Sequence, residues 1–183
     1  IAVLIAVFLR FFVVAAYKIP TSSMAPNLKV GDFIFVNKAR FGFRWPWEEG
    51  KQVFFAPPRR GEVVVFKCPQ EKKVSCVKRV VGVPGDKIQI VKKNLFVNGQ
   101  KAQYERADPQ LIADMPGAEY NAVLTEQLEG KRRHIVISSS KEIENFGPVI
   151  VPPEHFFVLG DSRDSSDDSR FWGAVPYTYL QGE

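Results

Sequence analysis

Short β-forming runs separated by glycine and proline recur along this chain, and that spacing constrains its fold more than any other feature. Phe33–Val36, Gly61–Lys67, Val74–Val83, Lys87–Val91, Leu95–Val97, His134–Ser138 and Phe156–Leu159 all have strand character. Between or beside them stand Gly31-Asp32, Pro84-Gly85-Asp86, Asn98-Gly99 and Gly160-Asp161, which carry turn chemistry. Lys87–Val91 and Leu95–Val97 read as a hairpin with Asn98-Gly99 as its far turn. Strands at this spacing predict a mainly β domain. Residues 100–133 are polar and less patterned, and read as an insert or a long excursion. A length of 183 residues suffices for one compact domain with a core and a small insert.

The first residues follow different rules. Ile1 to Ala16 is apolar throughout except Arg10. A membrane span takes about 20 apolar residues, more than this run offers, and no small-residue cleavage site follows it. We read residues 1–16 as the end of a transmembrane helix that begins outside this sequence; a buried core helix is the alternative. Tyr177 to Glu183 likewise reads as the start of another element with no natural stop, as in a truncated chain. With 45% hydrophobic and 25% charged residues the chain is globular rather than disordered. A net charge of +5 suits nucleic acid or an anionic membrane surface. The basic residues are scattered and no DNA-reading motif is present, so membrane lipid is expected and nucleic acid is not.

Two further features leave alternatives open. Phe41-Gly42-Phe43-Arg44-Trp45-Pro46-Trp47, followed by Phe54 and Phe55, has no period of 2 or 3.6. Its rings either meet a membrane–water interface or fill the core. Cys68 and Cys76 flank a polar, turn-like stretch; a hairpin centred on Lys72 would set them opposite each other, either bridged or as two thiols.

Three segments carry candidate chemistry. Pro20 and Pro26 keep Thr21-Ser22-Ser23-Met24-Ala25 out of a helix and hold its hydroxyls on an extended or turn backbone. Lys78 lies in an apolar β-rich run. Pointing inward it would be desolvated and its pKa lowered, which makes an amine a competent general base; pointing outward it would be an ordinary surface lysine. Gly160 to Gly173 holds Asp161, Asp164, Asp167 and Asp168, but lacks the glycine and closing glutamate of a calcium loop. No metal is expected there. Asp168 and Arg170 read as an ion pair that shapes the loop.

Together these segments resemble the bacterial type I signal peptidases. That family's serine box is matched by Pro20-Thr21-Ser22-Ser23-Met24-Ala25-Pro26-Asn27-Leu28 with Gly31-Asp32, and its lysine box by Lys78 to Asp86. Its Arg-Gly-Asp/Glu box is matched by Arg60-Gly61-Glu62-Val63-Val64-Val65-Phe66. The final box is matched by Gly160 to Arg170, and Trp172-Gly173 and Val175-Pro176 continue it. The order is the family's, and only the stretch between Val91 and Gly147 lies outside the likeness. Thr21 departs from a common serine, and Ser162 and Ser165 from common asparagines.

The resemblance implies an antiparallel β fold with three parts: a membrane helix ending at 16, a catalytic core of 17–90 and 148–183, and a β insert of 91–147. It implies a membrane-bound serine endopeptidase at the outer side of the bacterial inner membrane, cutting signal peptides from secretory precursors after an Ala-x-Ala pattern. Ser23 would be the nucleophile and Lys78 the general base. The Ser23 N–H and the Thr21 hydroxyl would form the oxyanion hole. Ser166 would orient the lysine, and Asp161, Asp168 and Arg170 would be structural supports. No cofactor is implied. The self-cleaving repressors of the bacterial damage response share Ser–Lys chemistry but are soluble. A non-enzymatic anchored β module leaves the joint motifs unexplained. A Ser–His hydrolase would have to use His134 or His155, neither in a hydrolase motif.

Overall fold

The computed structural model describes residues 13–42, 56–139 and 145–183. It is built almost wholly of antiparallel strands: β1 (Val14–Lys18), β2 (Phe33–Asn37), β3 (Val63–Lys67), β4 (Ser75–Gly82), β5 (Lys87–Val91), β6 (Asn94–Val97), β7 (Gln100–Lys101), β8 (Gln103–Arg106), β9 (Asn121–Leu128), β10 (Lys131–Ser138), β11 (Phe146–Ile150), β12 (His155–Leu159), β13 (Val175–Pro176) and β14 (Leu180–Gly182). Among the described residues they are interrupted by one turn of α-helix, α1 (Ser169–Trp172), and by six short 3₁₀ turns. The mainly β expectation therefore holds.

The central sheet runs β13-β12-β4-β3-β14. Its strands are near-continuous apolar runs because both faces are covered. One face packs Val64, Phe66, Val80, Phe156, Val158 and Leu180 with Phe41. The other packs Val81, Phe157 and Leu159 against Ile88, Ile90, Leu95 and Val97 of the β11-β5-β6-β7 sheet. Phe41 thus takes the core option; Phe43 to Trp47, Phe54 and Phe55 lie outside the described residues.

Several expectations change. Residues 1–12 lie outside the described residues, but Val14–Ala16, expected to end a helix, are strand and pair with β2. Among the described residues no helix is long and apolar enough to cross a membrane. The expected insert boundaries at 90/91 and 147/148 fall inside β5 and β11, which pair with each other, so the strands there continue across both. Of residues 100–133, expected to be an insert or a long excursion, β7 joins the β11-β5-β6-β7 sheet, while β8 and β9 form with β10 a sheet of their own, β9 and β10 pairing from Lys131↔Leu128 to Ser138↔Asn121. Cys68 and Cys76 are bridged, with Cα atoms 5.2 Å apart. They are not directly opposite, however, because the β3–β4 register sets Phe66 against Cys76 and Cys68 N–H donates to Val74 O.

Candidate active site

Lys78 owes its position to strand alternation. On β4 it shares a face with Val80, opposite buried Val64, while Arg79 points to the other side. The result is a lysine only 6% exposed. Ser23 reaches the same place from the opposite direction. Thr21 and Ala25 are extended, and between them Ser22–Met24 forms a single 3₁₀ turn that buries Ser23 and Met24. The turn expected from the flanking prolines is present, and it aims Ser23 at β4.

Lys78 Nζ lies 2.6 Å from Ser23 Oγ, and Thr21 Oγ1 lies 3.2 Å from the same oxygen. Burial lowers the Lys78 pKa below the ordinary lysine value, against the opposing pull of Asp168, Asp167 and Asp161. A hydroxyl against a desolvated amine is the arrangement by which an alcohol is deprotonated for nucleophilic attack. A cleft of about 350 Å³ opens beside them, lined by Ile19, Thr21, Met24, Val77 and the Cys68–Cys76 bridge among others.

The loop after β12 braces this pair. Ser162 N–H donates to Ser23 O at 3.0 Å. Asp168 Oδ2 accepts from Gly160 N–H at 2.9 Å, and Arg170 Nε donates to Asp168 Oδ1 at 2.8 Å. Arg170 also reaches the carbonyls of Arg163 and Ser166. Asp161, 1% exposed, takes both arms of Arg79 at 2.8 and 2.7 Å and the Asn27 amide at 2.7 Å. Asn27 also donates to His134 O at 2.7 Å, tying the serine segment to β10. Asp86, the last residue of the lysine box, accepts from Arg60 Nε, Val83 N–H and Asn98 Nδ2.

Ser166 behaves differently from expectation. It is 7% exposed and packed against Gly160, but its Oγ has no hydrogen-bond partner, so the bond to Lys78 is not formed in this structure. The lysine bonds Ser23 instead. Neither histidine is at the site: His134 Nδ1 meets Thr125 Oγ1 at 3.3 Å and His155 Nδ1 meets Pro153 O at 2.7 Å. Motif reading overlooked Asn27, Glu126 and Arg163. Asn27 stood inside the serine box as a spacer, and nothing local marks Glu126 as the partner of a residue 37 positions away.

A family model described as signal peptidase, peptidase S26, matches residues 1–183. A signal peptidase I of Pseudomonas aeruginosa is 40% identical over 167 residues, covering 90% of this chain and 57% of its own length. One from Buchnera aphidicola subsp. Baizongia pistaciae is 32% identical, covering 99% of this chain and 72% of its own. The chain thus spans little more than half of the Pseudomonas relative. A solved signal peptidase I from Enterococcus faecalis V583 aligns with TM-score 0.42 and 23% identity over 69% of this chain and 96% of its own. By family match and by identity, this chain belongs to the signal peptidase family, peptidase S26.

Proposed function

We propose that this chain is the catalytic part of a membrane-bound serine endopeptidase that removes N-terminal signal peptides from secretory precursors. The observation that carries the reading is the 2.6 Å approach of Lys78 Nζ to Ser23 Oγ at a buried lysine. In this reading neutral Lys78 takes the Ser23 proton as Oγ attacks the scissile carbonyl. The developing oxyanion is held by the Ser23 N–H and the Thr21 hydroxyl, a type of donor whose loss typically lowers turnover ~10²–10³-fold. Lys78 then protonates the leaving amine. Rotation of Ser166 toward Lys78 would orient the ammonium form. Asp161, Asp168 and Arg170 hold the loop. The chemistry calls for no metal and no cofactor.

The substrate would enter extended along the cleft. The β12–β4 ladder stops at Leu159↔Arg79, so the outer edge of Ser75–Lys78 faces the cleft without a strand from that ladder. An added peptide strand would pair there through its main chain, with small residues in an Ala-x-Ala pattern seated in apolar pockets. Membrane lipid is the expected second partner: Phe33 and Phe35 on β2 are 72% and 79% exposed. The bridge between Cys68 and Cys76 suits an oxidising compartment, the outer side of the inner membrane.

The test is cleavage in detergent of a peptide spanning an Ala-x-Ala junction. Wild type should cut after the second alanine, and Ser23→Ala and Lys78→Ala should be folded and inactive. Full activity in Lys78→Ala would sink the proposed base.

A further inference from the structure

Outside the serine and its lysine, a deeply buried ionic cluster sits between the β9–β10 hairpin and the loop after β12. Glu126, on β9, is 0% exposed. Its Oε2 accepts from Arg133 Nε at 2.7 Å and from Arg163 Nη2 at 2.6 Å. Its Oε1 accepts from the Tyr104 hydroxyl at 2.8 Å, and that hydroxyl accepts Leu95 N–H at 2.9 Å. Arg133 and Arg163 are 7% and 5% exposed. Burial would raise the Glu126 carboxyl, but Arg163 and Arg133 overcome it and hold the group at about 2.

A cluster with two cations and one anion is a poor way to gain stability, because apolar side chains of equal volume commonly do as well. What it supplies is direction. Arg163 lies in the 3₁₀ turn Arg163–Ser165, immediately before Ser166. While one arm holds Glu126, its Nε donates to Gly160 O at 3.2 Å. The guanidinium therefore closes the turn from Gly160 to Arg163 on itself and ties it to β9. Within that turn Ser162 N–H holds the Ser23 carbonyl. The same turn meets the hairpin at Val136 N–H to Asp161 O, 2.9 Å, and Ser138 N–H to Asp164 Oδ2, 2.7 Å.

We infer that Glu126 is a positioning residue for the active site, acting through Arg163 to hold the Gly160–Ser166 turn against Ser23. The inference rests on the Ser23–Lys78 reading for its consequence in turnover, but not for the contact itself. It gives the β9–β10 hairpin a task. The hairpin is the abutment of the catalytic loop, and without the carboxylate two buried guanidinium groups would face each other and push the turn outward.

The experiment uses Glu126→Gln and Arg163→Met, singly and together. With the Ala-x-Ala peptide, Glu126→Gln should lower kcat about 10–100-fold, leave KM within about twofold, and add nothing to the loss in Arg163→Met. Amide hydrogen exchange over residues 160–166 should speed up in Glu126→Gln, whatever the enzyme cuts. Wild-type kcat in Glu126→Gln, a loss that merely tracks the folded fraction, or unchanged exchange over 160–166 each overturns the inference. Should Glu126→Gln fail to fold, Glu126→Leu/Arg133→Met/Arg163→Met leaves no buried charge unpaired. Its kcat should still fall, and wild-type turnover there overturns the inference too. A wild-type chain that leaves the peptide intact defeats the peptidase reading alone, since hydrogen exchange still decides the role of Glu126.

Discussion

Gly160→Ala isolates how closely the catalytic loop must approach the serine. Gly160 does not adopt a left-handed backbone, so alanine meets no conformational penalty there. The obstacle is space. An added Cβ would stand 2.2 Å from Ser166 Oγ, 2.3 Å from Ser166 Cβ and 2.6 Å from the Ser23 carbonyl oxygen. Ser166 is packed into a buried site and the Ser23 oxygen is backbone already bonded to Ser162, so neither is the free end of a flexible chain. Bringing the 2.6 Å contact to the 3.4 Å of an ordinary one moves the peptide of Ser23, the proposed nucleophile, by about 0.8 Å relative to the loop. A displacement near 1 Å costs a positioned reaction about 10²-fold. Overpacking a filled site costs about 1–3 kcal/mol, or a melting point lower by roughly 2–12 °C in a chain of this size. Steady-state cleavage of the Ala-x-Ala peptide and thermal unfolding by circular dichroism read the two effects separately. Gly160→Ala with wild-type kcat would refute the reasoning, because it would mean that the loop and Ser23 can separate without consequence.

Four other expectations follow from the same geometry. The acid limb of kcat/KM should fall below the ordinary lysine pKa of about 10.4, because only neutral Lys78 can accept the serine proton. As a base whose folded pKa is lowered, Lys78 destabilises the fold fully below that lowered value, and the effect disappears as pH rises to the unfolded one. Lys78→Met should therefore raise the melting point at pH 7 while abolishing cleavage, and a lower melting point would contradict the burial argument. Asp161→Asn leaves the Arg79 guanidinium facing an amide in a site 1% exposed and should destabilise by about 3–5 kcal/mol, checked by urea titration; a loss under about 1 kcal/mol would show the pair to be solvated. Cys68→Ser/Cys76→Ser opens a bridge of sequence separation 8, which should lower stability by about 2–3 kcal/mol and raise KM more than it lowers kcat, since both residues line the cleft and neither touches Ser23; an unchanged KM would remove the bridge from substrate binding.

Much of this was legible in the residues themselves, and the failures share a cause. β3, β4 and β12 announced themselves as apolar β runs because the central sheet is buried on both faces, while β2 reads as a strand although its Phe33 and Phe35 stand exposed. Thr-Ser-Ser and Lys78 alone said little; they became informative only through the ordered motifs of a family. What local pattern could not show is what depends on a partner far along the chain. β9 looked polar because Glu126 sits at a buried position, and of the two residues that neutralise it one, Arg163, lies beyond three more strands. Val14–Ala16 looked like helix because an apolar run has no period of its own, and pairing with β2 decides it. The cysteine register was off by two because the loop bond from Val74 N–H to Glu71 O centres the hairpin nearer Glu71 than Lys72.

The electrostatics of the site show why so much of the chain is needed around two side chains. On the Ser23–Lys78 reading, Lys78 is buried to be neutral, yet burial among apolar residues alone would leave no ready home for the ammonium that turnover would form. Asp161, Asp167 and Asp168 supply an opposing field, but Asp161 faces Arg79 and Asp168 faces Arg170, so each is largely spent on its own cation. Their residual pull is therefore a matter of distance rather than of charge count. All three stand on the loop after β12, where Glu126 grips Arg163 and the β10 amides of Val136 and Ser138 grip Asp161 and Asp164. A shift of that loop alters the field at Lys78 and the seat of the Ser23 carbonyl together. The basicity of the lysine and the aim of the serine are thus set by one structural element.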